Sequence, residues 1–175
     1  MRGGSYARVC TIGGDDGVWG AGLDSGDFAM PFPNDRFDAI ASNDAMCHIE
    51  GRLAALRDWC RVLRPGGRAL FTDAMVLTGI VSHEELAIRS SIGFYLFVPP
   101  GENEKLLRQA GFVVQSAQDV TANAAEVAQR WHFARDRHQH ALVAREGRTN
   151  FDSLQRFLRC VHTLSSSNGC RGMRT

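Results

Sequence analysis

No stretch of this chain is apolar for the roughly 18–20 residues that a membrane-crossing helix requires, and its N-terminus lacks a hydrophobic signal core. Neither sign of charge dominates. Twenty Lys and Arg against 19 Asp and Glu leave a formal charge of +1, which gives no electrostatic reason to expect a nucleic acid or membrane partner. The five cysteines (Cys10, Cys47, Cys60, Cys160, Cys170) are odd in number and form no CxxC pair. That argues against a zinc site or a disulfide framework and for reduced thiols in the cytoplasm. Neither repeats nor a low-complexity linker divide the 175 residues, so a single domain with a real core is expected.

A nucleotide-binding fingerprint is also missing. Residues 13–22, GGDDGVWGAG, have the glycines, but such a loop needs a strand before it and a helix opening directly after it. Here the run passes into LDSGDFAMPFPN, which has no helical period. Residues 1–26 therefore read as irregular chain, with ARVCTI as the one short strand candidate.

What is present is concentrated between residues 37 and 73. FDAIAS reads as a buried strand, NDAMCHIEG as a polar loop, RLAALRDWCRVL as an amphipathic helix, RPGG as a tight turn and RALFTD as a second buried strand. Leu53, Leu56, Trp59, Cys60 and Leu63 recur at helical spacing, so that helix should pack on the sheet. Strand, helix and strand over this length make one βαβ unit with its strands parallel. Ligands of open α/β sheets sit beyond the carboxyl ends of the strands. Those ends carry Ser42, Asn43 and Asp44 in one case, Thr72 and Asp73 in the other.

Downstream, Ser82 followed by Glu85 forms a capping box, and a further helix starts after Pro99-Pro100 and stops at Gly111. Residues 112–117 read as a strand. A long helix follows with Asn123 as its N-cap. His138 and His140 are two apart and share no helix face, so they do not suggest a metal pair. A last helix turns Phe151, Leu154, Phe157, Leu158, Val161 and Leu164 inward, and residues 165–175 read as a disordered polar tail.

The segment FPNDRFDAIASNDAMCHIEGRLAALRDWCRVLRPGGRALFTD resembles the second half of a class I S-adenosylmethionine-dependent methyltransferase. Within that superfamily it is similar to the type 11 and sarcosine/dimethylglycine methyltransferase-like enzymes. The similarity continues through GFYLFVPPGENEKLLRQAGF and extends to Leu164. It implies a truncated Rossmann-like α/β sheet with flanking helices over residues 27–164, and methyl transfer from S-adenosylmethionine to a small-molecule nucleophile, foremost an amine. It assigns Asp27 and Phe28 to the adenine, and Asn43, Asp44 and His48 to the cofactor's methionine end. Asp73, Arg89 and Tyr95 fall where relatives contact substrate. No catalytic residue is singled out.

Quieter readings of these residues stay open. Asp27 could be a turn aspartate and Phe28 a core residue. His48 could be a hydrogen-bonded structural histidine, Asp73 a cap and Arg89 a solvated helix arginine. The resemblance also implies two further βα units ahead of Asp27, with a glycine loop and a ribose-binding acid, and a seventh strand near the C-terminus. None of these is visible. The sheet is therefore expected to expose an unpaired edge open to self-association. The alternative function is a noncatalytic interaction module pairing through that edge.

Overall fold

A computed structural model describes the backbone of residues 7–12, 18–23, 30–167 and 170–174, with side chains described for residues 30–167. Asp27 and Phe28 lie outside the described residues. Two strands, β1 (Ala7–Ile12) and β2 (Val18–Leu23), form an antiparallel hairpin, where the sequence had suggested irregular chain with at most one strand. β3 (Phe37–Ser42) leads through a 3-10 turn at Met46–His48 into α1 (Arg52–Val62), which runs directly into β4 (Leu63–Leu77). β3 and β4 are parallel neighbours, as the βαβ reading requires.

RPGG is not a turn between helix and strand but a bulge inside β4. Phe37 is opposite Leu63, yet Ala39 is opposite Arg68, so the β4 side holds the extra residues. Gly66 supports this with φ of +81°, and Gly67 lies so close to the backbone that an added Cβ would sit 2.9 Å from the Arg64 carbonyl oxygen.

The core lies between this βαβ unit and α3 (Glu102–Ala110). Ala55, Leu56, Trp59 and Val62 of α1 are buried at a period close to 3.6 residues. Trp59 meets Phe71 of β4 edge to face at 6.1 Å. α2 (His83–Arg89) opens with the expected capping box: Glu85 N–H donates to Ser82 Oγ at 3.2 Å, and Ser82 N–H to Glu85 Oε2 at 2.8 Å. α3 ends on Gly111 in left-handed backbone.

The C-terminal third departs from expectation at three points. Residues 112–117 form no strand, and only β5 (Gln118–Asp119) joins the sheet. α4 (Thr121–Arg137) starts ahead of Asn123, and Asp119 Oδ1 accepts from Thr121 N–H at 2.9 Å. The cap position is Val120, three residues ahead of the expected Asn123, and it makes no side-chain cap bond. α5 (Gln139–Glu146) and α6 (Arg148–Ser166) follow, with Phe151, Leu158 and Leu164 of α6 buried and Leu154, Phe157 and Val161 half-buried. Residues 170–174 form β6 (Cys170–Arg174), a strand in the stretch read as a disordered tail.

Across the sheet the order is β2-β1-β3-β4-β6-β5, with β6 antiparallel to both its neighbours. β6 supplies the returning strand that was not legible. β1 lies antiparallel to β3 through Cys10 and Ala41, so the edge expected to be open at β3 is taken by the hairpin and passes outward to β2.

The bulge separates two glycines by mechanism. Gly66→Ala, with open space around the added methyl, should cost about 1–2 kcal/mol through left-handed backbone alone. Gly67→Ala must move backbone and should cost more. Urea unfolding of the two variants checks the order.

Candidate functional site

Polar residues converge where β3 ends and its parallel pairing with β4 stops. Asp44, in left-handed backbone at φ +47°, turns the chain back over the sheet edge. Its N–H donates to Thr72 Oγ1 at 2.9 Å. The Thr72 hydroxyl has one proton to give, and two acceptors stand in reach: Asn43 Oδ1 at 2.9 Å and Asp44 Oδ1 at 2.8 Å. One hydroxyl thus ties the whole loop to β4.

The 3-10 turn then presents His48. Its Nδ1 lies 2.5 Å from the Phe94 carbonyl oxygen. A carbonyl only accepts, so Nδ1 carries the proton, and in the neutral ring Nε2 is left as the acceptor. The His48 ring lies 4.6 Å from Tyr95, which stacks at 6.5 Å on Phe157 of α6. Burial pushes the Tyr95 hydroxyl pKa up, and the neighbouring Cys47 and Asp44 add to this while Arg89 opposes it. Tyr95 is therefore a neutral donor at ordinary pH. Cys47, beneath the loop, is driven to about 12 mainly by burial, with Asp73 and Asp44 adding repulsion, and is inert as a nucleophile.

Beneath this rim lies a buried ion pair. Asp73 is fully buried and accepts from Arg52 Nη1 at 2.7 Å, Asn103 Nδ2 at 2.9 Å and Met75 N–H at 3.0 Å. Arg52 also donates to Asn103 Oδ1 and to the Leu96 carbonyl. Both oxygens of Asp73 are committed, so its place is support rather than the substrate contact expected of it. Arg89, 3% exposed, donates to the Ala74 carbonyl at 3.1 Å and lies over the Phe157 ring at 5.1 Å. A substrate carboxylate could reach it only by displacing those contacts. Of the expected residues, Asn43, Asp44, His48 and Tyr95 share the rim, while Asp73 and Arg89 are buried.

Arg52, Asn103 and Phe157 escaped the sequence reading. Arg52 and Asn103 open helices, where charged and polar residues are by default solvated, and no local pattern distinguishes a buried one. Phe157 was recognised as inward-facing, but its meeting with Tyr95 needs the tertiary fold.

A family model described as a methyltransferase domain matches residues 17–71, including part of the glycine-rich stretch. The chain is 30% identical over 95 residues to 27-O-demethylrifamycin SV methyltransferase of Amycolatopsis mediterranei, covering 53% of this chain and 35% of that protein. It is 28% identical over 123 residues to phosphoethanolamine N-methyltransferase of Triticum aestivum, covering 70% of this chain and 24% of that one. The structure of Haemonchus contortus phosphoethanolamine N-methyltransferase 2 in complex with S-adenosyl-L-methionine superposes with a TM-score of 0.74 at 19% identity, over 85% of this chain and 34% of that chain. In sequence this chain is thus similar to methyltransferases, and its fold is that of the class I methyltransferase structures. It spans well under half the length of each of these three relatives. The segment matched by the family model closes at Phe71, one residue before the Thr72 that holds the rim.

Removing one partner from a buried ion pair strands the other charge. Asp73→Asn should destabilise the fold by about 3–5 kcal/mol, while replacing Arg52 and Asp73 together with apolar residues should cost less than Asp73→Asn alone. Chemical denaturation of the single and double variants reads the difference.

Proposed function

We propose that this chain serves S-adenosylmethionine-dependent methyl transfer to a small-molecule nucleophile, an amine, in the cytoplasm. The observation that carries the reading is the loop of Asn43 and Asp44, pinned by Thr72 at the carboxyl end of β3, where its parallel pairing with β4 stops; ligands of such sheets bind beyond the carboxyl ends of parallel strands. A polar loop with exposed Asn43 and Asp44 beside the half-buried His48 and Tyr95 suits a ligand that carries both charge and an apolar body. Similarity to phosphoethanolamine N-methyltransferases favours nitrogen as the acceptor.

In this reading Asn43, Asp44 and His48 hold the methionine end of the cofactor, with Asp27 and Phe28 at the adenine. When bound, S-adenosylmethionine supplies an electrophilic methyl group on a good leaving group. The protein's work is then to orient the acceptor and strip water from it. Tyr95, kept protonated, donates a hydrogen bond that orients the acceptor. His48, its Nδ1 proton committed to Phe94, offers Nε2 to take the proton that an alkylammonium must lose before its nitrogen can attack. Free thiols such as Cys47 and Cys60 accord with a reducing compartment.

Calorimetric titration with S-adenosylhomocysteine tests this. Saturable binding is expected, weakened roughly ten- to a hundredfold by Asp44→Ala, the worth of a charged hydrogen bond. Thr72→Val should weaken it too, by releasing the loop. No binding at millimolar ligand, or binding indifferent to both substitutions, would overturn the assignment.

A further inference from the structure

Ser42 is the last residue of β3 and the point at which the chain leaves the interior. Ile40 is 1% exposed and Ser42 5%, whereas Asn43 and Asp44 directly after it are exposed. A hydroxyl buried to that depth has lost its water, and folded proteins almost always restore the lost bond with a partner of their own. The Ser42 hydroxyl oxygen has none among the described residues.

Strong polar groups stand close by and leave it out. Ser42 is opposite Phe71 in the parallel pairing. Because side chains alternate along a strand, Asp73 shares the face of β4 on which Phe71 stands. Asp73 nonetheless takes its donors from Arg52, Asn103 and Met75. On the opposite face of β4, Thr72 is engaged with Asn43 and Asp44. Ligands of parallel sheets lie across the carboxyl ends of the strands, and neighbouring Cα atoms are only about 3.8 Å apart. A ligand group held at Asn43 or Asp44 therefore comes within a side chain's reach of Ser42.

We propose that Ser42 is a cofactor-binding residue, its hydroxyl kept for the amino-acid end of S-adenosylmethionine. The inference rests on the assignment of Asn43 and Asp44 to that end of the cofactor. That end carries an ammonium and a carboxylate, and a hydroxyl can accept from the first or donate to the second. Asp44 already brings negative charge for the ammonium, so the Ser42 proton goes to the carboxylate. A hydrogen bond to a charged acceptor is among the stronger ones, more so where water is excluded. Cofactor binding thus offsets a desolvation that the unliganded protein carries at this hydroxyl.

The sign of two effects separates this role from a structural one. Deleting a hydroxyl that bonds inside the fold lowers stability, whereas deleting an orphaned one is neutral or stabilising. Ser42→Ala should therefore hold or raise the urea midpoint of the unliganded protein. In calorimetric titration the same variant should bind S-adenosylhomocysteine about ten- to a hundredfold more weakly. Methylthioadenosine keeps the adenine, ribose and sulfur but has no amino-acid end, so it should not distinguish Ser42→Ala from the unmutated protein. Equal affinity of the two proteins for S-adenosylhomocysteine, with Asp44→Ala still weakening it, would overturn this proposal and leave the methyltransferase reading in place. A lowered urea midpoint would overturn it as well, by showing that the hydroxyl bonds within the fold. So would an equal loss of methylthioadenosine affinity, which would put the contact elsewhere on the ligand. Failure of the unmutated protein to bind S-adenosylhomocysteine would overturn both readings.

Discussion

The guanidinium of Arg52 sits where four segments meet: the start of α1, β4 at Asp73, the chain at Leu96 and the first turn of α3. At 5% exposure it has lost nearly all its water, a loss of several kcal/mol that only opposite charge and well-aimed acceptors can offset. Asp73 and Asn103 supply them, and Asn103 closes the triangle by donating to Asp73 as well. A low local dielectric makes each of these bonds stronger and each missing one more damaging. The consequence is positional. With Asp73 fixed on the core side of β4, Thr72 must point to the opposite face, because side chains alternate along a strand. Thr72 in turn holds Asn43 and Asp44, so the rim inherits its geometry from a pair of charges that no ligand touches.

Hydrophobic pattern explains what could be read in advance. FDAIAS and RALFTD were legible as neighbouring strands, although Arg68 and Leu70 are exposed where a buried strand was expected, and the apolar spacing from Leu53 marked a packed helix, which ends at Val62, leaving Leu63 to β4. Ser82 with Glu85, and Gly111 after α3, announced themselves because capping chemistry is local. What stayed illegible depends on partners distant in sequence. CRGMR, with two arginines and a glycine, has no strand signature of its own, and it becomes β6 because Thr72 to Leu77 and Gln118-Asp119 offer it two edges. VWGAGL is similarly glycine-broken and is a strand only as the partner of β1. The opposite error occurred at residues 112–117, where an apolar run with good β propensity remains unpaired, since propensity cannot supply a neighbour.

The same division runs through the site. Asn43, Asp44 and His48 could be put forward because they follow a recognisable strand, and the structure gathers them with Tyr95 at one rim. Arg89 and Asp73 were expected to contact substrate, and both are buried. A sequence gives the end of a strand on which a residue lies, but whether its polar atoms reach solvent depends on what packs above. Here Phe157 of α6 lies over Arg89, and Leu96 with Asn103 closes over Arg52 and Asp73.

Depth also decides what chemistry the rim can carry. The buried groups with strong charge, Arg52, Asp73 and Arg89, are occupied by one another and by carbonyls, so they lend rigidity rather than reactivity. The groups left at the surface of the site are a carboxylate and a carboxamide tied to one hydroxyl, an imidazole of fixed tautomer, and a phenol held neutral by burial. That set is poor in activated nucleophiles and rich in oriented dipoles. A reaction that must build its own nucleophile by stepwise proton transfer would be badly served. Transfer of a group already bound to a good leaving group needs mainly alignment and a dry approach. A loop held by Thr72, above a network that tolerates no slack, is suited to give that alignment.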